Sequence, residues 1–230
     1  MRILLFIIPF FVSLSVLAQK DEIDFDAVDS LYREDQFYIN FTYNSVRKSP
    51  DGFDQNKFSP GISLGFLRDM PINKDRTLAI AAGLGYSIAS YNHNLIINTS
   101  AANNQYSIIG EGVDYTTDRL TLHFIDLPIE FRWRTSTPEN HQFWRIYTGI
   151  KLSYLLHDSY KYESATLNIK STGNTDLNAF HYGAYAAVGW NTWNLYLYYG
   201  FNPLFKSSAQ IQNRSIEMSA LNIGLMFYIL

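Results

Sequence analysis

The stretch His157-Asp158-Ser159 brings an imidazole, a carboxylate and a hydroxyl within three consecutive residues. Those are the groups of acyl-transfer catalysis, where a base takes the hydroxyl proton and a carboxylate orients the base. Neighbours on a strand point to opposite faces, so adjacency argues against a working triad and for a polar strand end entering a loop. The other histidines, His93, His123, His141 and His181, stand singly and show no metal-ligand spacing. With no cysteine in the chain there is no thiolate metal site, thiol nucleophile, disulfide or lipobox. Gly83-Leu84-Gly85 is the nearest approach to a phosphate-cradling loop, but it lies inside an alternating pattern where small residues relieve crowding. The expectation is therefore a protein with no catalytic residues, no metal and no cofactor.

Charged groups recur at another spacing. Asp126, Glu130, Arg132 and Arg134 share one face of a stretch whose other face is Ile125, Leu127, Ile129, Phe131 and Trp133. Arg145 and Lys151 alternate in the same way with Trp144, Ile146, Ile150, Leu152, Tyr154 and Leu156. Period-two alternation predicts strands, and six further stretches carry it. They begin near Phe37, Ile62, Leu78, Phe180, Leu195 and Leu221, the sixth running to the last residue. The stretch from Leu120 to Trp133 changes apolar phase at Phe124-Ile125, which predicts a β-bulge there. The charge-free run from Leu177 to Phe205 carries Asn178, His181, Asn191, Asn194 and Asn202, which suits a hairpin and not a membrane helix.

Eight strands are joined by alternating connections. Long polar stretches fall at 45–57, 92–118, 159–177 and 202–213, and short ones at 69–76, 135–141 and 191–192. This is the sequence pattern of an eight-stranded antiparallel transmembrane β-barrel of outer-membrane type, with short periplasmic turns and long external loops. A soluble sandwich would use the same alternation with its apolar face inward. Aromatic residues near the strand ends (Phe37-Tyr38, Trp133, Phe143-Trp144, Trp190, Trp193 and Phe227-Tyr228) favour lipid, because interfacial girdles sit there. The final segment, from Asn222 to Leu230, resembles the C-terminal signal read by barrel-assembly machinery.

The composition agrees with an exported membrane protein. Of 230 residues, 16% are aromatic and 17% charged, and the net charge of −3 gives no sign of a nucleic-acid partner. Met1-Arg2, the apolar run from Ile3 to Leu17, and Val16-Leu17-Ala18 form a secretory signal peptide over 1–18, with an uncleaved anchor as the alternative. Residues 19–35 then form an acidic segment of net charge −5, and 36–230 the barrel. In that segment Phe25, Leu31 and Tyr32 are interleaved with carboxylates, which fits either a solvated periplasmic leader or a short partner-binding segment anchored by those three side chains.

An eight-stranded barrel is too narrow for an open pore, and side chains fill it. Asp126, Glu130, Arg132, Arg134, Arg145 and Lys151 then point into the lumen, with His181 able to join them and His123 a lumen or rim residue. They read as an ion-pair network that neutralises buried charge, a proton path being the alternative.

Asp29-Ser30-Leu31-Tyr32-Arg33-Glu34-Asp35-Gln36-Phe37-Tyr38 resembles the start of the PorT-family outer-membrane proteins of Bacteroidota. Ile125-Asp126-Leu127-Pro128-Ile129-Glu130-Phe131-Arg132-Trp133, followed by a strand with Tyr147-Thr148-Gly149, is similar to a mid-barrel hairpin found in that family and in other Bacteroidota barrels. The resemblance implies a non-enzymatic outer-membrane component of type IX secretion, associated with gliding and acting through protein-protein contacts. Its partners would be outer-membrane lipid, other components of that machinery and, during insertion, the barrel-assembly machinery. The alternatives are an outer-membrane lipid-modifying enzyme and a small structural or adhesive barrel.

Overall fold

Alternating apolar and polar side chains suit a pleated ribbon with one face in each medium, and the described chain is built almost wholly from such ribbons. The computed structural model describes residues 35–55, 57–99, 104–110, 112–135 and 144–229. The predicted signal peptide and the predicted anchors Phe25, Leu31 and Tyr32 lie outside the described residues.

In chain order the strands are β1 (Gln36–Arg47), β2 (Pro60–Pro71), β3 (Leu78–Asn92), β4 (Leu95–Asn98), β5 (Gln105–Ile108), β6 (Tyr115–Arg134) and β7 (Trp144–Ser164). They continue with β8 (Asn168–Ser171), β9 (Phe180–Trp190), β10 (Trp193–Gly200), β11 (Gln210–Ile211), β12 (Arg214–Ser215) and β13 (Ser219–Ile229). Eight of them close into an antiparallel barrel in the order β1-β2-β3-β6-β7-β9-β10-β13, with β13 pairing back onto β1 from Phe37↔Ile229 to Arg47↔Ser219. Closure leaves no edge whose amide groups would face lipid. Among the described residues the tightest connection between barrel strands is Asn191-Thr192, between β9 and β10, where Asn191 takes φ 54°, a left-handed conformation asparagine tolerates.

The outer wall is apolar over a central band. On β6 it presents Ile125, Leu127, Ile129, Phe131 and Trp133, and on β10 it presents Trp193, Leu195, Leu197 and Tyr199. Two aromatic belts bound this band. At the short-turn end all four tryptophans face outward, with Trp144 against Trp190 and Trp193 against Phe227. At the long-loop end tyrosines and phenylalanines take over, in contacts such as Tyr43–Phe58, Phe180–Tyr182 and Tyr199–Phe201. Tryptophan and tyrosine collect at such levels because their rings are amphipathic.

The bulge predicted within β6 is displaced to its partner. Side chains on β6 alternate without interruption from Asp118 to Arg134, and the extra residue is Leu156 of β7, between the pairs His123↔His157 and Phe124↔Leu155. What changes at Phe124-Ile125 is the medium. Below that level the lumen is polar and the apolar side chains face out; above it Leu120, Leu122 and Phe124 face into an apolar core.

That core continues beyond the barrel rim. The stretches predicted as long polar loops extend β6 and β7 and carry β4–β5, β8 and β11–β12. Leu95, Ile97, Leu177, Leu204, Phe205 and Ile216 are buried there, so the long-loop end is closed by a folded cap. Apolar burial of this kind is what orders segments whose own sequence is dominated by Asn, Ser and Thr.

Candidate functional site

The lumen at the short-turn end holds a buried network centred on Asp69 of β2. Arg134 donates Nη1 and Nη2 to the two oxygens of Asp69, each at 2.9 Å. Arg132 donates Nη1 to the Asp69 Oδ1 at 2.9 Å and Nε to the Glu130 Oε2 at 2.7 Å. The other oxygen of Glu130 accepts from the Tyr185 hydroxyl at 2.8 Å and the Tyr228 hydroxyl at 3.2 Å. Bidentate and charge-assisted bonds are the strong members of their kind, and here they satisfy groups with essentially no solvent access. Arg145, 5% exposed, packs its guanidinium 5.4 Å from the centre of the Tyr228 ring.

Halfway along the barrel a second, looser group forms. Asp126 accepts from the Ser153 hydroxyl and lies 3.8 Å from the Lys151 ammonium, which also sits over the Tyr198 ring. His181 is buried nearby and bonds the Asn178 carbonyl through Nε2. The adjoining space, lined by Asn40, Ser87, Lys151 and Ser153 among others, amounts to about 50 Å³. That is room for a few waters and no wider passage.

The six predicted lumen residues thus divide: Glu130, Arg132, Arg134 and Arg145 lie at one end, Asp126 and Lys151 farther up. Asp69, the residue that joins the two arginines, is not among the six; it stands beside Arg68, Pro71 and Asn73 and has the sequence surroundings of a turn. Its signal was the continuing alternation Leu67, Asp69 against Phe66, Arg68, Met70. His123 faces outward and is hydrogen-bonded through Nδ1 to the Tyr86 hydroxyl at 2.7 Å, so it is a rim and not a lumen residue. The trio His157-Asp158-Ser159 does not converge: His157 is exposed, whereas Asp158 is turned inward and accepts from the Gly173 and Asn174 amides. Among the described residues no group of histidines and carboxylates is placed to hold a metal ion.

In the cap the polar hub is Asp176. It accepts from the Ser208 hydroxyl at 2.6 Å, the Asn104 amide at 2.9 Å and the Tyr106 hydroxyl at 3.0 Å. Burial alone would raise its carboxyl, but these hydrogen bonds and the Lys206 charge outweigh burial and hold it below the usual carboxylate range. A depressed pKa means that Asp176 stabilises the cap above the ordinary carboxylate pKa, and that this contribution is lost as the pH falls through the lowered value. Protection of residues 104–110 against hydrogen exchange, taken relative to the intrinsic rate at each pH, should therefore fall between pH 5 and 3, and Asp176→Ala should be poorly protected at both. Unchanged protection at pH 3 would remove Asp176 as the hub.

A closed eight-stranded barrel with an apolar, belted wall and a charge-filled lumen defines a membrane barrel of the small, non-porin kind. No helix among the described residues is long and apolar enough to cross a membrane. The chain belongs to the outer membrane protein beta-barrel domain family, whose sequence profile matches residues 17–206, and its place is the outer membrane. No curated protein matches it. Among solved structures it is similar to the attachment invasion locus protein Ail of Yersinia pestis, at 14% identity and a TM-score of 0.36, over 86% of this chain and 100% of that one. A structure of Ail with the heparin analogue sucrose octasulfate matches at 13% identity and 0.36, over 86% and 100% of the two chains. Ail in a phospholipid bilayer nanodisc matches at 13% and 0.34, over 85% and 100%.

Proposed function

We propose that the protein is a non-enzymatic outer-membrane component of type IX secretion that acts by protein contact, with the short turns and acidic N-terminal segment in the periplasm and the long-loop cap outside the cell. The observation that carries the contact reading is the lumen. Buried ion pairs fill one end, the middle holds room for only a few waters, and the cap closes the other end. A barrel without a passage works through its surfaces. Choosing type IX secretion among such roles rests on the resemblance of Asp29 to Tyr38 to the PorT family.

Three measurements test this. In planar bilayers the purified protein should show no stable conductance, and a large steady pore would refute the closed lumen. A deletion strain should lose type IX cargo from its culture medium. In the chain itself, replacing Phe25, Leu31 and Tyr32 together by Ser should impair export while leaving insertion and heat-modifiable gel mobility intact. Each anchor buried at an interface is worth about 1–3 kcal/mol. Normal export from that variant at normal protein level would move the contact elsewhere on the molecule.

An adhesive barrel is the second reading, and one observation favours it. The cap carries a groove of about 480 Å³ between residues 48–51, β5 and the β11–β12 hairpin, lined by Lys48, Asp51, Arg214 and Glu217. If adhesion is the role, the deletion strain keeps its secreted cargo and loses attachment.

A further inference from the structure

The outer wall changes character at the level of Tyr86 and His123. Beyond it, β3, β6, β7 and β8 continue as a four-stranded extension. Its inner face, with Leu120, Leu122, Tyr160 and Tyr162, is buried against the cap. Its outer face carries a row of cations. Arg119 of β6 is the register partner of Lys161 of β7, and Lys161 is the register partner of Lys170 of β8. Register partners project from the same face of a sheet, and like charges directly opposite one another are destabilising. One carboxylate partly offsets the row: Glu163 Oε1 lies 2.9 Å from the Lys161 ammonium. Among the described residues, Lys170 has no ion-pair partner.

Beside this row runs a row of hydroxyls. Ser159 pairs with Thr121, and together with Lys161, Lys170 and Thr172 it lines a concavity of about 320 Å³. Two ammonium groups and two hydroxyls around a hollow present hydrogen-bond donors to an anion with several acceptor oxygens. Position decides which anion. Four residues of a tilted strand place Arg119 about 10 Å above His123, which shares a level with the aromatic belt. Long basic side chains reach back over that distance toward lipid headgroups.

We infer that the face formed by Arg119, Lys161, Lys170, Ser159 and Thr172 binds the phosphorylated headgroup of a lipid in the leaflet at the long-loop end. The row of like charges is then completed by the lipid, and the barrel is tied to that leaflet at one side of its wall. This holds whether the protein serves secretion or adhesion, because it concerns the wall and not the cap groove or the N-terminal segment.

Native mass spectrometry of the full chain in detergent, with added diphosphoryl lipid A, tests the inference. The wild type should retain the lipid, and R119Q/K161Q/K170Q should retain at least tenfold less, since each Lys or Arg near an anionic lipid surface is worth about a factor of five. Heat-modifiable mobility of that variant should be unchanged, because all three side chains lie on the outside of the fold. E163Q should retain more lipid than the wild type by removing the competing carboxylate. Equal retention by the wild type and the triple variant would overturn the assignment. Displacement of the lipid by an equal concentration of inorganic phosphate would also overturn it, by showing a site for a free anion.

Discussion

Replacing Asp69 by Ala is expected to destabilise the barrel by about 3–5 kcal/mol, the cost of breaking a buried ion pair from one side. Asp69 accepts three hydrogen bonds from Arg132 and Arg134, and both guanidinium groups are fully buried. Removing the carboxylate leaves two cations close together in a medium that screens them poorly. Glu130→Ala should act in the same direction, because Glu130 holds Arg132 from the other side and anchors Tyr185 and Tyr228. Urea unfolding of barrels reconstituted in vesicles, followed by tryptophan fluorescence, measures both. A loss under about 1 kcal/mol for Asp69→Ala would mean that water reaches the arginines, and the closed-lumen account would fail with it.

The second large effect belongs to the wall. Ile129 faces outward near the middle of the apolar band, beside Ile150 on β7 and Ala82 on β3. Ile129→Arg should cost about 2–4 kcal/mol, the penalty for a cation near the bilayer midplane. The same change at Thr121, above the aromatic belt, should cost no more than about 1 kcal/mol because the side chain meets headgroups and water. Equal costs at the two positions would mean that the band between the belts is not where lipid lies.

Much of the barrel was legible locally. Alternation is a property of neighbouring residues, so the eight strands and the turn at Asn191-Thr192 followed from the order of side chains alone. The alternation of short and long connections then required neighbouring strands to be antiparallel. Glu130, Arg132 and Arg134 were legible as one charged face for the same reason: residues i, i+2 and i+4 of a strand share a side.

What failed to be legible was whatever depends on contact between distant segments. Asp69 has the polar sequence neighbours of a turn residue, and only the pairing of β2 and β6 on either side of β3 sets it within reach of arginines 63 and 65 residues away. Leu120, Leu122 and Phe124 looked like a shifted phase, although β6 keeps its phase and the surroundings change from a polar lumen to an apolar core. The cap looked like four polar loops, because the scattered apolar residues that order it, among them Leu95, Ile97, Leu204 and Phe205, bury one another only once the barrel brings them together. The sequence by itself therefore determined the number of barrel strands, their direction and their alternating faces, all of which are written in spacing. Tertiary structure alone decided where along β6 the inner medium changes from polar lumen to apolar core and which charges meet each other, because those follow from the pairing and closure of the sheet, relations among residues far apart in the chain.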